Sequence, residues 1–132
     1  MKSLLLICLL STSGLFAQNK EINTFYDNGG TKTTYKYKDA SNYEVVNYYI
    51  SGKIMETGRF VNGKMEGNWI SYHESGLKSG EAFYTHGEKN GEWRTFDETG
   101  SIRYKIVYAN NRIINAVNFD ASGKSIAETK SR

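Results

Sequence analysis

The chain contains no proline and a single cysteine in 132 residues. Without proline, every backbone N–H is available to a hydrogen-bonded ladder. The cysteine is Cys8, inside an N-terminal apolar run. Beyond that run there is no thiol, which excludes a disulfide scaffold, a cysteine nucleophile and a thiolate metal site. An excess of one charge is also missing. After residue 17, sixteen basic side chains face fourteen acidic ones. That balance lacks the concentrated basic face of a nucleic-acid binder. No apolar run spans a bilayer, since the one over residues 4–10 is too short. After residue 17 no segment has the length and 3.6-residue period of a helix that could cover a sheet.

Groups with catalytic chemistry are equally sparse. The two histidines are His73 and His86, and both read as turn residues in solvent. There is no HExxH, no GxSxG and no glycine-rich phosphate loop leading into a helix. Carboxylates recur at Asp27, Glu74, Asp97 and Asp120, with one or two acids per turn. That density suits turn capping rather than the clustered oxygen ligands of a calcium site. The expectation is a protein with no catalytic residue, no metal and no cofactor.

What the chain does have is a repeat. Residues 48–71 and 72–95 superpose without a gap. Gly52 falls on Gly76, Phe60 on Tyr84, Gly63 on Gly87, Gly67 on Gly91 and Trp69 on Trp93, each 24 residues apart. A fixed period of this size marks a repeat architecture. A third copy covers residues 96–118, with Gly100 and Tyr108 in place and one residue lost late. A fourth begins at Phe119, with Gly123, and stops. A degenerate copy precedes them around Gly29, as terminal capping repeats commonly are.

Each copy reads as a β-hairpin. Asn62 and Gly63 form the strongest short hairpin signal, because a type I′ turn needs positive φ at both central residues. His86 and Gly87 take the same place in the second copy. A two-residue loop at these points sets the register. It places Phe60 opposite Met65, Arg59 opposite Glu66, Glu56 opposite Trp69, Gly80 opposite Trp93 and Tyr104 opposite Val117. One face then carries the columns Phe60/Tyr84/Tyr108, Gly58/Ala82/Ile106 and Trp69/Trp93/Val117. The other face is more polar, with Arg59, Glu66, Glu81, Glu92, Lys105 and Arg112. The copies join through a second set of turns at Gly52, Gly76, Gly100 and Gly123.

The ends read differently. Lys2, the apolar run and the small-residue stretch over residues 11–17 form a secretory signal pattern with cleavage after Ala17. Residues 18–47 read as the capping repeat, opening on a polar lead and containing two strands. They are followed by the repeats over residues 48–123 and a polar tail over residues 124–132.

The spacing Gly52, Phe60, Asn62, Gly63, Lys64, Gly67, Trp69, Tyr72 and Gly76 resembles the MORN repeat, in the variant common in bacteria. That resemblance implies single-layer arrays of β-hairpins used for protein contacts and dimerisation. Many bacterial relatives carry an antitoxin label, a cytoplasmic role that fits an exported chain poorly. The expected fold is all-β, a single-layer antiparallel hairpin meander of about 24 residues per repeat. The expected role is a non-enzymatic exported module for protein–protein interaction or scaffolding in the envelope. The alternatives are binding of a glycan or envelope polymer through the aromatic face and an antitoxin-like role. The candidate binding residues are Trp69, Trp93, Phe60, Tyr84 and Tyr108. Gly52, Gly63, Gly67, Gly76, Gly87, Gly91, Gly100 and Gly123 are the structural turn glycines. The partner is expected to be another protein rather than nucleic acid, and the chain is not expected to span a membrane.

Overall fold

In the computed structural model, residues 20–130 are described. The export segment expected over residues 1–17, with Cys8, lies outside them. Eleven strands follow one another: β1 (Lys20–Phe25), β2 (Thr31–Tyr37), β3 (Asn42–Tyr48), β4 (Ile54–Val61), β5 (Lys64–Tyr72), β6 (Lys78–Thr85), β7 (Glu88–Lys89), β8 (Gly91–Phe96), β9 (Ile102–Ala109), β10 (Arg112–Phe119) and β11 (Ser125–Lys130). They form one antiparallel sheet in chain order, from β1 at one edge to β11 at the other. The short β7 pairs with β6 and is separated from β8 at Asn90. Among the described residues there is no helix. The fold is the all-β hairpin meander expected from the period. Two segments go beyond the sequence reading: the polar lead contains β1, and the polar tail contains β11.

The turn chemistry explains the meander. At the hairpin tips Asn62 and Gly63 have φ 50° and 72°, His86 and Gly87 have 52° and 85°, and Asn110 and Asn111 have 48° and 66°. Two consecutive positive φ values give the type I′ twist that matches the strands. The inter-repeat turns are uniform. Gly76 N–H donates to His73 O, and His73 N–H donates to Leu77 O, both at 2.8 Å. The same two bonds close the turns that begin at Tyr26, Tyr49, Asp97 and Asp120. All eight expected turn glycines have positive φ.

His73 is more than a solvated turn residue. Its Nε2 lies 3.0 Å from Phe96 O and its Nδ1 lies 3.1 Å from Glu98. The Tyr26 hydroxyl donates to Tyr48 O at 2.6 Å, and the Tyr49 hydroxyl donates to Tyr72 O at 2.7 Å. These three side chains occupy equivalent turn positions, and each ties its turn to the following repeat.

The register departs from the simple hairpin in a way that matters for the site. Phe60 pairs with Met65 and Arg59 with Glu66, as the loop dictates. Gly67 then takes φ 71° and leaves the ladder with β4 while staying paired with Tyr84 of β6, and pairing with β4 resumes at Thr57 with Ile70 and Glu56 with Ser71. β5 absorbs two extra residues there, and an even slip keeps side chains on their expected face. Trp69 is consequently not opposite Glu56 but over Gly58. The second hairpin does the same at Asn90 and Gly91. Gly80 pairs with Thr95 rather than Trp93, and Glu81 pairs with Arg94, which brings Trp93 level with Ala82.

The third hairpin slips by one residue only. Ile113 pairs with Tyr108, then Asn115 with Val107 and Ala116 with Ile106. An odd slip reverses the faces. Val117 pairs with Lys105 and Asn118 with Tyr104. Val117 therefore does not continue the tryptophan column; it joins Lys105 on the polar face, and Ala116 takes the tryptophan position. The residue lost late in this copy is the cause.

A single sheet buries little. Among the described residues only Val45 and Trp69 are buried apolar side chains, at 4% and 5% exposure, and Thr33 and Thr34 are buried polar ones. Their hydroxyls are satisfied by Asn47 at 2.9 Å and Asn23 at 2.7 Å.

Candidate functional site: the aromatic face

All five candidate binding residues lie in one unbroken line of rings. Phe60 meets Trp69 at 5.2 Å between centroids with planes 89° apart. Trp69 meets Tyr84 at 6.2 Å and 75°, Tyr84 meets Trp93 at 5.0 Å and 64°, and Trp93 meets Tyr108 at 5.1 Å and 59°. The steeply inclined packing sets ring edges against ring faces, the arrangement the aromatic quadrupole favours. Each full repeat supplies one tryptophan and one ring from the preceding strand, which is why the line runs across the strands.

Sequence reasoning missed three members. Tyr43 stacks on Phe60 at 5.2 Å and 19°, and Tyr37 and Tyr35 reach Tyr43 at 5.0 and 6.0 Å. With these the set grows to eight rings, the line forking at Tyr43 in the capping repeat. The signal was present, since Thr33, Tyr35 and Tyr37 alternate on one face of β2. Lys89 was missed as well. Its ammonium sits 4.8 Å from the centre of Trp93 and 5.2 Å from that of Tyr108, within cation–π range.

Burial differs along the line. Trp69 is buried, whereas Phe60, Tyr84, Trp93 and Tyr108 are half-buried. The Trp93 indole N–H donates to Phe83 O at 3.0 Å. The Trp69 indole N–H has no partner among the described residues. Beside the rings runs a polar row. Thr33 donates to Asn47, and the Asn47 amide donates to a Glu56 oxygen at 3.2 Å. Burial first, and then the Glu56 carboxylate, raise the Tyr84 hydroxyl above its ordinary value. Burial likewise raises Tyr43, with Tyr37 and Tyr35 adding to it.

The depression between Glu56, Trp69, Tyr84 and Trp93 holds about 210 Å³. That is below the range of enclosed small-molecule pockets. A larger one, about 320 Å³, lies around Asn68, Ile70, Glu81, Glu92 and Arg94. Its charges already satisfy one another. Glu81 pairs with Lys78 at 2.8 Å and Arg94 at 3.3 Å, and Glu92 pairs with Lys105 at 2.6 Å and with Arg94. These contacts hold both carboxyls below the ordinary range, with the Lys78 hydrogen bond foremost for Glu81 and the Lys105 hydrogen bond for Glu92. The polar face is therefore an internally neutralised ladder. Beside that ladder a wider depression of about 540 Å³ is lined by Leu77, Phe96 and Ile102, and on the aromatic face the half-buried rings leave contact area of their own.

A hairpin array with a line of rings along one face defines a β-hairpin repeat module. Residues 89–110 match the family described as the MORN repeat variant. The match takes in Gly91, Trp93, Phe96, Gly100 and Tyr108, so it runs from one hairpin across the inter-repeat turn into the next. No curated protein matches the chain. Among solved structures, TarM is similar at 15% identity and TM-score 0.47, covering 72% of this chain and 20% of that one. A structure of S. aureus TarM in complex with fondaparinux, alpha-GlcNAc-glycerol and UDP is similar at 14% identity and TM-score 0.48, covering 73% and 21%. The chain spans about a fifth of the length of these proteins. Similarity at this level says nothing of the chain's activity.

Proposed function

We propose that this chain is an exported, non-enzymatic repeat module that binds a partner protein through its aromatic face. The carrying observation is the eight-ring set, of which Trp69 is buried while Phe60, Tyr84, Trp93 and Tyr108 stay part-exposed. Tyrosine and tryptophan dominate interface energetics, and a partly exposed apolar strip is the common mark of an interaction site. The export half of the reading rests on Lys2, the apolar run and the small-residue stretch before residue 18.

Ring geometry favours a protein over a glycan. A sugar stacks on an open ring face, but from Phe60 to Tyr108 the planes meet at 59° to 89°, so successive rings present no common flat platform. Edges and shallow gaps remain, which suit interdigitating side chains. An antitoxin-like role has no residue in its support beyond the repeat itself.

The test compares two surface substitutions in capture from envelope extract by the tagged protein. Trp93→Ala should abolish capture of the partner, while Arg94→Ala, next in the chain but on the opposite face, should leave it. Equal capture by all three proteins would overturn the binding surface. N-terminal sequencing tests export, and an intact Met1 in the cytoplasmic fraction would overturn it.

A further inference from the structure

We infer that copies of this chain join head to tail, with β11 of one copy pairing with β1 of the next. The contact uses the two sheet edges, so it is independent of the aromatic-face reading.

Among the described residues, the outer edges of β1 and β11 have no strand partner. Every residue of both strands is exposed. Phe25 on β1 is 60% exposed, and Ile126 on β11 is 58% exposed. Open edges of this kind are templates for strand addition.

The two edges are complementary halves of one repeat. β4, β6 and β9 each follow an inter-repeat turn and form the first strand of a hairpin. β5, β8 and β10 each precede such a turn and form the second. Among the described residues, β11 follows the turn at Gly123 as a first strand without its second, and β1 precedes the turn at Gly29 as a second strand without its first. Placing β1 of one copy beside β11 of another rebuilds a hairpin that lacks only its tip, and it keeps the antiparallel alternation.

The register follows from the complete hairpins, of which β2–β3 pairs Thr33 with Asn47 and Thr34 with Val46 at the offset the others share. Glu56–Ser71, Gly80–Thr95 and Tyr104–Asn118 are equivalent pairs. Counted from their turn glycines, they correspond to Ala127 opposite Thr24. Thr57–Ile70, Glu81–Arg94 and Lys105–Val117 likewise correspond to Glu128 opposite Asn23. Continued as in the third hairpin, where Ile106 pairs with Ala116 and Val107 with Asn115, this sets Thr129 opposite Ile22 and Lys130 opposite Glu21.

The chemistry agrees with that register. Lys130 and Glu21 bring opposite charges face to face. Asn23 Oδ1 already accepts the Thr34 hydroxyl at 2.7 Å, which leaves its amide N–H groups for the Glu128 carboxylate. Within the chain, Glu128 accepts an amide from Asn115 in the same manner at 3.3 Å. Ile22 takes the position that Trp69, Trp93 and Ala116 hold in the complete hairpins, so the aromatic face continues across the junction. One Lys and one Glu on each edge strand, Lys20 and Glu21 on β1 and Glu128 and Lys130 on β11, protect the edges from mismatched strands.

Sedimentation of the full chain over a concentration series tests the inference. A head-to-tail contact leaves a free β1 at one end and a free β11 at the other end of any open assembly, so the average mass should rise past that of a dimer. Glu21→Lys or Lys130→Glu alone places like charges opposite each other and should weaken association about tenfold. An equimolar mixture of the two variants should restore it, as should the double variant. Trp93→Ala should leave association unchanged. A monomer at every concentration, a mass that saturates at a dimer, or single variants that fail to rescue each other would each overturn the inference.

Discussion

The indole of Trp69 occupies the space of the side chain that Gly58 does not have. A Cβ built on Gly58 would overlap ring atoms Cδ2, Cε2 and Cε3. The two-residue slip in β5 puts the ring there. The slip also lets the best-buried aromatic of a single-layer protein find a floor of bare backbone. The next repeat has Ala82 at the equivalent site, and its indole, Trp93, is only half-buried.

Gly58→Ala should therefore cost about 1–3 kcal/mol, a penalty of overpacking rather than of backbone conformation. Urea unfolding measures it. The same substitution in a Trp69→Ala background should cost little, and an equal cost in both backgrounds would separate Gly58 from the ring.

Gly63 makes the converse case. A Cβ there would meet nothing within 4 Å, but its φ is 72°. Gly63→Val should lose roughly 1–3 kcal/mol through backbone strain alone. A D-alanine at this position, introduced by chemical ligation, should lose almost nothing. Equal losses would point to a contact rather than to conformation.

The two tryptophans should separate spectroscopically. In the Trp93→Ala variant the remaining indole should emit as a buried residue and resist acrylamide, whereas in Trp69→Phe the remaining Trp93 should be quenched. Trp69→Ala should cost about 3–5 kcal/mol, as expected for a large buried aromatic, and Trp93→Ala distinctly less. Equal quenching of both indoles would contradict the unequal burial on which the binding surface rests.

Acid should weaken the inter-repeat turns. Asp97 Oδ1 accepts the Thr99 hydroxyl at 2.6 Å and the Thr99 and Ser101 N–H groups at 2.9 and 3.0 Å. Asp120 Oδ1 accepts the Ser122 hydroxyl and the Ser122 and Lys124 N–H groups at 2.6, 2.9 and 3.0 Å. The hydroxyl bond foremost, with the backbone bonds behind it, holds each carboxyl below its ordinary value of 3.8. A depressed folded value means the stabilisation is complete above the ordinary value and disappears as pH falls through the folded one. The melting temperature should be flat near neutrality and fall below about pH 4. Asp97→Ala with Asp120→Ala should lower it at pH 7 and shrink the acid drop. An unchanged acid profile would assign the acid transition to other carboxylates, such as Glu81 and Glu92.

The period, the glycine turns and the alternation within strands are local properties, and the sequence by itself determined them. Two positive-φ residues close a hairpin wherever they occur, and side chains alternate along any extended strand. From this followed the hairpin array, the positions of its turns, and the shared face of Phe60, Tyr84, Tyr108, Trp69 and Trp93. The ends of the sheet were hidden because β1 and β11 are polar strands, fully exposed, with no buried face to produce a pattern. What only the tertiary structure decided was the ladder offset. A glycine such as Gly67 can either stay in the ladder or leave it, and that choice depends on the neighbouring strand. Its outcome moved Trp69 from Glu56 to Gly58. In the third hairpin an odd offset sent Val117 to the ionic face and put Ala116 in line with the tryptophans. Alternation tells which residues share a face within a strand. The facing partner is set by hydrogen bonds between strands, and one residue more or less in a bulge changes it.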